Sequence, residues 1–266
     1  MKILNILIIP HFNNPNGLTA SIASIGNDEE LDVIIVDDGS IKYKINEESI
    51  LLNKKFKGNI IFKYCPENRG IEYVLNDGID YALENGYRYI SRLDCGDLCH
   101  KNRFKIQTNF LDNNPEIGLV GSHVNAVDEN GYFLYPINVP IDKKEIENGM
   151  LLGAMFIHPT VMFRSDIINK VGKYPVNYKA AEDFAFFTNI IKHYKCANID
   201  QVLVTIELNS KGISIKNRKI QTHSRIQILK HNYKFGLRST YGVLRSYILY
   251  YMPYSIIQSI KKIVYK

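Results

Sequence analysis

The stretch Asp32-Val33-Ile34-Ile35-Val36-Asp37-Asp38-Gly39-Ser40 decides the fold. Four consecutive apolar residues are too few for a buried helix, and Asp-Asp-Gly-Ser stops them with turn-forming chemistry. The segment over 32–36 therefore reads as a short strand buried on both faces, delivering two carboxylates at its carboxyl end. The same pattern recurs on either side. Residues 3–9 (Ile-Leu-Asn-Ile-Leu-Ile-Ile) read as a strand closed by Pro10 and a polar loop over 11–17. A helical pattern follows, with Leu18, Ile22 and Ile25 on one face. Residues 59–63 form a third strand leading into the loop at 65–70, 71–84 a helix, and 87–93 a fourth strand. Strands alternating with helices over some 95 residues argue for an α/β fold with a parallel, doubly wound sheet flanked by helices. Ligands bind such sheets at the carboxyl ends of the strands, where these polar loops fall.

The second half is less regular. Strands are expected at 117–121, 157–163 and near 198–206, with a helix opening at Glu182. From about 219 the pattern turns helical and basic. Internal repeats and low-complexity linkers are absent from the sequence, so the boundary near 210 rests on composition alone.

The 266 residues are 45% hydrophobic and 23% charged, ordinary values for a globular chain. Four irregularly spaced cysteines (Cys65, Cys95, Cys99, Cys196) do not suggest a disulfide framework. The first apolar run stops at Pro10, shorter than a secretory leader, and nowhere do ~20 apolar residues run together as a membrane-spanning helix requires. A cytoplasmic location is the default expectation. The net charge of +6 is unevenly spread: twelve Lys and Arg follow Glu207 and no acidic residue does. A mildly acidic body thus carries a strongly basic tail.

Three acidic sites fall at or beyond expected strand ends: Asp37-Asp38, Asp94-Cys95-Gly96-Asp97 and Glu182-Asp183. Carboxylates there could hold a sugar hydroxyl, a base edge or a divalent cation. Each also has a plainer reading. Asp-Asp-Gly-Ser makes a good turn, and acidic residues are favoured at a helix start.

In this order the motifs resemble the inverting family-two glycosyltransferases over most of residues 3–215. Pro10-His11-Phe12-Asn13 is similar to the turn that ends their first strand. Val36-Asp37-Asp38-Gly39-Ser40 matches a Val-Asp-Asp-Gly-Ser motif, and Asn68-Arg69-Gly70 an Asn-x-Gly element before a helix. Arg92-Leu93-Asp94-Cys95-Gly96-Asp97 resembles Arg-Leu-Asp-x-Asp-Asp, and Glu182-Asp183 a late acidic pair. His158-Pro159-Thr160 resembles members that build cell-surface polysaccharides. The resemblance implies a GT-A (Rossmann-like) sheet, mostly parallel, with a nucleotide-sugar-binding half over 1–100 and an acceptor half over 101–210. The donor would be a nucleotide-sugar, a UDP-hexose favoured and a thymidine diphosphate deoxysugar an alternative. Pro10, His11, Asn13, Asp37, Asp38, Asn68, Arg69, Asp94 and Asp97 would bind it. Asp38 would read the base, Asp37 support its loop, Asp94 and Asp97 hold Mn²⁺ or Mg²⁺, and Asp183, with Glu182, act as catalytic base. One departure stands out: Gly96 occupies the position of the family's usual metal aspartate. The implied setting is a glycan on undecaprenyl diphosphate, in O-antigen or capsule assembly.

Among weaker candidates, Cys95, Cys99 and His100 lack the fourth ligand and the spacing of a zinc site. His158 suits either a phosphate or acceptor contact or a structural hydrogen bond. Gly212-Ile213-Ser214 suggests a flap over the diphosphate, and Arg218 either a phosphate contact or a solvated side chain. The tail, 211–266, places seven tyrosines after residue 232 among basic residues, and Pro253 interrupts its apolar run. It reads as a peripheral anchor on an anionic membrane surface, or as a helix packed on the body or on a second subunit. Nothing besides the tail's charge points to nucleic acid. A nucleotidyltransferase would show a Gly-rich, Arg-containing loop after the first strand, which 11–17 does not. A transferase-like module without activity remains the other alternative.

Overall fold

In a computed structural model of the chain, residues 3–153, 155–208, 217–253 and 256 are described. Its first half is an all-parallel sheet. Strands β1 (Asn5–His11), β2 (Asp32–Asp37), β3 (Ile60–Tyr64) and β4 (Tyr89–Arg92) stand in the order β3-β2-β1-β4. Helices α1 (Pro15–Ser24), α2 (Glu47–Asn53) and α3 (Ile71–Glu84) connect them. The register sets His11 beside Asp37, and Ile8 beside both Ile34 and Arg92. The loops that follow β1, β2 and β4 therefore open at one edge of the sheet. The unbroken apolar strands follow from burial on both faces. Ile6 and Ile8 of β1, with Ile34 and Val36 of β2, join one core with Leu75 and Ile79 of α3. Leu7, Ile9, Val33 and Ile35 point the other way, against Leu18 and Ile22 of α1.

The second half is mixed. A short β5 (Leu98–Cys99) leads to α4 (Arg103–Asn113) and the long β6 (Ile117–Val127). β7 (Phe133–Ile137) folds back on β6, and α5 (Lys143–Gly149) follows. The segment expected as one strand over 157–163 is a 3₁₀ turn, His158–Thr160, and then β8 (Met162–Arg164). Pro159 accounts for the difference, since it has no N–H to give a ladder. After α6 (Ile168–Val171) and α7 (Glu182–Ile191) comes β9 (Lys195–Glu207). β8 runs antiparallel between β4 and β6, β9 parallel to β6, and β5 antiparallel on the outer side of β9. One continuous sheet thus carries the parallel half into the second half.

The basic tail is helical where described. In α8 (Arg218–His231), Ile228 and Leu229 join the same core as α3 and α7, and Ser224 Oγ donates to Lys179 O at 2.8 Å. In α9 (Leu237–Tyr251), the buried side chains are small: Ser239, Gly242 and Ser246. Five of its large apolar residues are exposed, from Leu244 at 56% to Leu237 at 92%, with Tyr241, Ile248 and Tyr251 between, while Val243 packs against the core. Among the described residues no helix is long and apolar enough to cross a membrane.

Candidate functional site

At the end of β1 and β2, polar groups hold one another in place. His11 is buried, and its Nδ1 lies 2.6 Å from Asp37 Oδ1. The Asn14 N–H donates to His11 Nε2 at 3.1 Å, so the proton sits on Nδ1 and is given to Asp37. Asp37 also accepts from the Ser40 N–H (2.9 Å) and the Ser40 hydroxyl (2.6 Å). Asn13, at φ 52°, accepts from the N–H groups of Lys42 and Tyr43. Gly39 has φ +69°, and a Cβ there would stand 2.5 Å from the Glu67 carbonyl carbon. Only glycine fits this close approach of the two loops. Asp38 completes the junction: its oxygens accept from Arg69 N–H at 2.8 Å and Gly70 N–H at 3.0 Å. The loop at 68–70 is thereby tied to β2, with Asn68 exposed and the Arg69 guanidinium held by Asp77. Pro10 pairs with Val36 inside the sheet and supports the turn from behind. Beside this junction lies a cleft of about 480 Å³, lined by Asp37, Gly39, Ser40, Tyr64, Cys65 and Pro66 among others.

The loop after β4 is built around two buried arginines. Arg92, 3% exposed, pairs with Asp94 Oδ1 at 2.6 Å. Its Nε and Nη1 are buried with no hydrogen-bond partner among the described residues. Arg103, fully buried on α4, donates to the carbonyls of Arg92 (2.7 Å) and Pro159 (2.8 Å). It therefore joins the end of β4 to the 3₁₀ turn that carries His158. Gly96 adopts φ 109°, a conformation an aspartate would take only with strain, so the departure at this position comes with its own loop geometry. Asp97 is buried, and Oδ1 accepts from the Glu207 N–H at 3.1 Å. Burial, reinforced by the Asp94 charge, pushes its carboxyl well above the usual range. Among the described residues no three His, Cys, Asp or Glu side chains converge as a self-contained metal site. The half-exposed Asp94, with Asp97 behind it, fits the other arrangement: one or two carboxylates, the rest of the shell from water and substrate phosphate.

Glu182 and Asp183 open α7. Asp183 Oδ1 accepts from the Phe184 N–H at 2.6 Å, and Oδ2 lies 3.8 Å from His158 Nδ1. His158 Nε2 meets the Tyr174 hydroxyl at 2.9 Å, so this histidine is hydrogen-bonded to Tyr174 and stands within ion-pair distance of Asp183. Glu182 is 8% exposed, and its Oε2 has no hydrogen-bond partner among the described residues. Burial first, and Asp183 second, push Glu182 up to about 7. The helix dipole alone favours a low pKa for Asp183, but burial outweighs it and the direction is upward. The Phe184 N–H, Arg92 and Arg225 oppose that rise. Arg92 thus faces both acidic groups: it pairs with Asp94 and its charge stabilises Glu182 and Asp183 as anions.

The expected residues accordingly form two linked groups, His11 to Gly70 around the β2 end and Asp94, Asp97, Glu182 and Asp183 around Arg92. Cys99 lies under Arg103, Cys95 Sγ meets Asn14 O, and His100 Nε2 meets Thr205 Oγ1, three separate environments. Arg218 donates to the carbonyls of Leu249 and Met252, closing the end of α9. Gly212-Ile213-Ser214 lies outside the described residues. The sequence reading quoted Arg92 within its motif without giving it a role, and passed over Arg103 and Arg225. The signal for the first was present, since an arginine two residues before Asp94, at the end of a buried strand, needs a partner.

The fold is that of a GT-A glycosyltransferase. The profile of glycosyl transferase family 2 matches residues 6–172, and the chain belongs to that family. The bifunctional glycosyltransferase pgtA of Dictyostelium discoideum is 28% identical over 252 residues, 80% of this chain; the match spans 32% of that larger protein. The amylovoran biosynthesis glycosyltransferase AmsE of Erwinia amylovora is 26% identical over 70% of this chain and 67% of its own. The O-antigen biosynthesis glycosyltransferase WbnJ of Escherichia coli is 28% identical over 72% and 74%. Among solved structures, S. aureus TarS 1–349 in complex with UDP-GlcNAc superposes with TM-score 0.65 at 16% identity, covering 92% of this chain and 72% of that one. The mannosyltransferase PcManGT of Pyrobaculum calidifontis, in complex with GDP-Man and Mn²⁺, gives TM-score 0.63 at 13% identity, covering 92% and 69%.

Proposed function

We propose that the chain moves one sugar from a nucleotide-sugar donor, a UDP-hexose, to an acceptor hydroxyl with inversion at the anomeric carbon. The observation that carries this reading is the place of Arg92, a single buried guanidinium between the acidic loop at 94–97 and the pair at 182–183. It couples a leaving-group side to a proton-accepting side. The donor's nucleotide would lie along the β2 end, over Asp38 and the loop at 68–70, with its diphosphate toward Asp94. Asp94, with Asp97 behind it, would hold Mn²⁺ or Mg²⁺, which when bound would supply charge to offset the leaving diphosphate. Asp183 takes the acceptor proton, an effect worth roughly 10²–10⁴-fold in rate. Its upward pKa shift makes it a stronger base than a solvated aspartate. Attack opposite the leaving group inverts the centre in one step, for which one base suffices. Residues 1–100 form the donor half, 101–210 the acceptor half and 211–266 the tail.

The relatives named for amylovoran and O-antigen biosynthesis support a polysaccharide setting, with an acceptor carried on a lipid diphosphate. The outward apolar face of α9, on a tail with no acidic residue after Glu207, supports peripheral contact with an anionic membrane from the cytoplasmic side.

The test is nucleotide release by the purified chain across a panel of nucleotide-sugars, with and without Mn²⁺ and acceptor. One donor is expected to be turned over, Asp94→Ala to abolish release, and Asp183→Asn to lower transfer by 10² or more while donor binding persists. Asp183→Asn with undiminished transfer would remove the assigned base. Activity unchanged after exhaustive chelation would remove the cation.

A further inference from the structure

The tail brings a charged group into the site that the reaction above does not use. Arg225, on α8, lays its guanidinium over the Phe184 ring, 4.6 Å from carbon to centroid. Phe184 follows Asp183 in the chain, and the two side chains sense each other's charge. Yet Arg225 Nε and Nη2 are both buried with no hydrogen-bond partner among the described residues. Buried N–H groups without an acceptor are costly, and an anion bound there would remove that cost. The surroundings of Arg225 deepen the imbalance. A second guanidinium, Arg245 of α9, donates to Leu152 O and adds positive charge. The backbone at Gly153 closes one side, where a Cβ would stand 3.7 Å from Arg225 Nη2. The negative charge felt by Arg225 comes from Asp183. Burial draws the Arg225 pKa down to about 10, which leaves it charged near neutrality.

We propose that Arg225 forms an anion subsite beside Asp183, formed by α8, α9 and the loop at 149–153, that takes a phosphoryl group of the acceptor. The word acceptor rests on the glycosyl-transfer reading; the subsite itself does not. A planar fork of N–H donors matches phosphate oxygens in pairs, which a point charge does not. Its place against the base side of Arg92, not the Asp94 side, assigns the phosphate to the acceptor. Arg225 would hold the acceptor by its phosphate and so hold the accepting hydroxyl against Asp183. It is a binding residue and takes no part in proton transfer.

The test titrates inorganic pyrophosphate into the full chain saturated with UDP, by calorimetry, for the unaltered protein, Arg225→Gln and Arg225→Lys. Arg225→Gln is expected to weaken pyrophosphate roughly 10- to 100-fold, the range for a hydrogen bond to a charged group. Arg225→Lys, which keeps the charge but not the fork, should fall between the two, and UDP affinity should be the same in all three. Equal pyrophosphate affinity in the unaltered and Gln proteins overturns the subsite. A matching loss of UDP affinity overturns its assignment to the acceptor, since the guanidinium would then serve the donor. Should Arg225→Gln not fold, a loss of about threefold or more in Arg225→Lys carries the test, and no loss overturns it. If the unaltered chain binds no UDP, the glycosyl-transfer reading fails on its own. The pyrophosphate comparison without UDP then still decides the subsite.

Discussion

Glu182→Gln reaches the least comfortable group in the protein. The Glu182 carboxyl is 8% exposed with an oxygen unpartnered among the described residues, and it is pushed up to about 7 from an ordinary 4.5. Its proton is held more tightly in the folded chain than in the unfolded one. Between those two pH values the native state therefore binds more protons, and stability falls as pH rises. The contribution is fully present below 4.5 and lost as pH passes through about 7. At about 1.4 kcal/mol per pH unit the whole window is worth roughly 3 kcal/mol, of which 2 to 3 fall between pH 5 and pH 8. Glutamine has no proton to lose, and any penalty from its amide is the same at every pH. The assay is urea unfolding at pH 5, 6, 7 and 8, followed by tyrosine fluorescence, because the chain has 18 Tyr and no Trp. The stability of Glu182→Gln relative to the unaltered protein should rise by roughly 2 to 3 kcal/mol across that range. Parallel curves would refute the reasoning, whatever their offset, and would mean that Glu182 is solvated.

Three further outcomes follow from the same geometry. Gly39→Ala combines a φ of +69° with a Cβ 2.5 Å from the Glu67 backbone, so it should lose about 2 kcal/mol or more and much of its UDP affinity, read by thermal unfolding and calorimetry. Arg103→Met strips the Arg92 and Pro159 carbonyls of their donor inside the core, and about 3 kcal/mol or more should disappear in denaturant unfolding; a change under 1 kcal/mol would deny Arg103 that role. Leu244→Glu with Ile248→Glu should abolish sedimentation with vesicles rich in anionic lipid and leave the melting temperature unchanged, because both side chains are more than half exposed.

The parallel half was legible because its signals are local. Strands β1 and β2 are apolar at successive positions, and each ends in a loop that Pro10 or Gly39 marks in the sequence. Asp183 was legible as a helix start. What the sequence hid was pairing at a distance. Nothing local tells that Asp38 caps a loop more than 30 residues away, or that Asp97 receives its hydrogen bond from Glu207. Buried arginines are hidden for a related reason. Arg92, Arg103 and Arg225 have the composition of surface residues, and only the tertiary fold reveals what encloses them. In α9 the fully buried positions are small residues, while Leu237, Tyr241, Leu244, Ile248 and Tyr251 stay exposed, so apolar periodicity alone misplaces its inner face.

The junction between β5 and β9 also bears on how the chain reaches its working form. Leu98 and Cys99 pair with Thr205 and Val204, and Asp97 is fixed by Glu207, all across more than 100 residues. On the ribosome the parallel half can emerge and collapse long before that partner strand exists. The Asp97 carboxyl then waits for its backbone partner until β9 is delivered. Closing so long a loop is slow relative to the local pairing of β1 to β4. A nascent chain cut before residue 207 would contain all five motifs from Pro10 to Asp183. Its loop at 94–97 would already be tied to α1 through Ser21, and it would still lack the bond that fixes the Asp97 carboxyl.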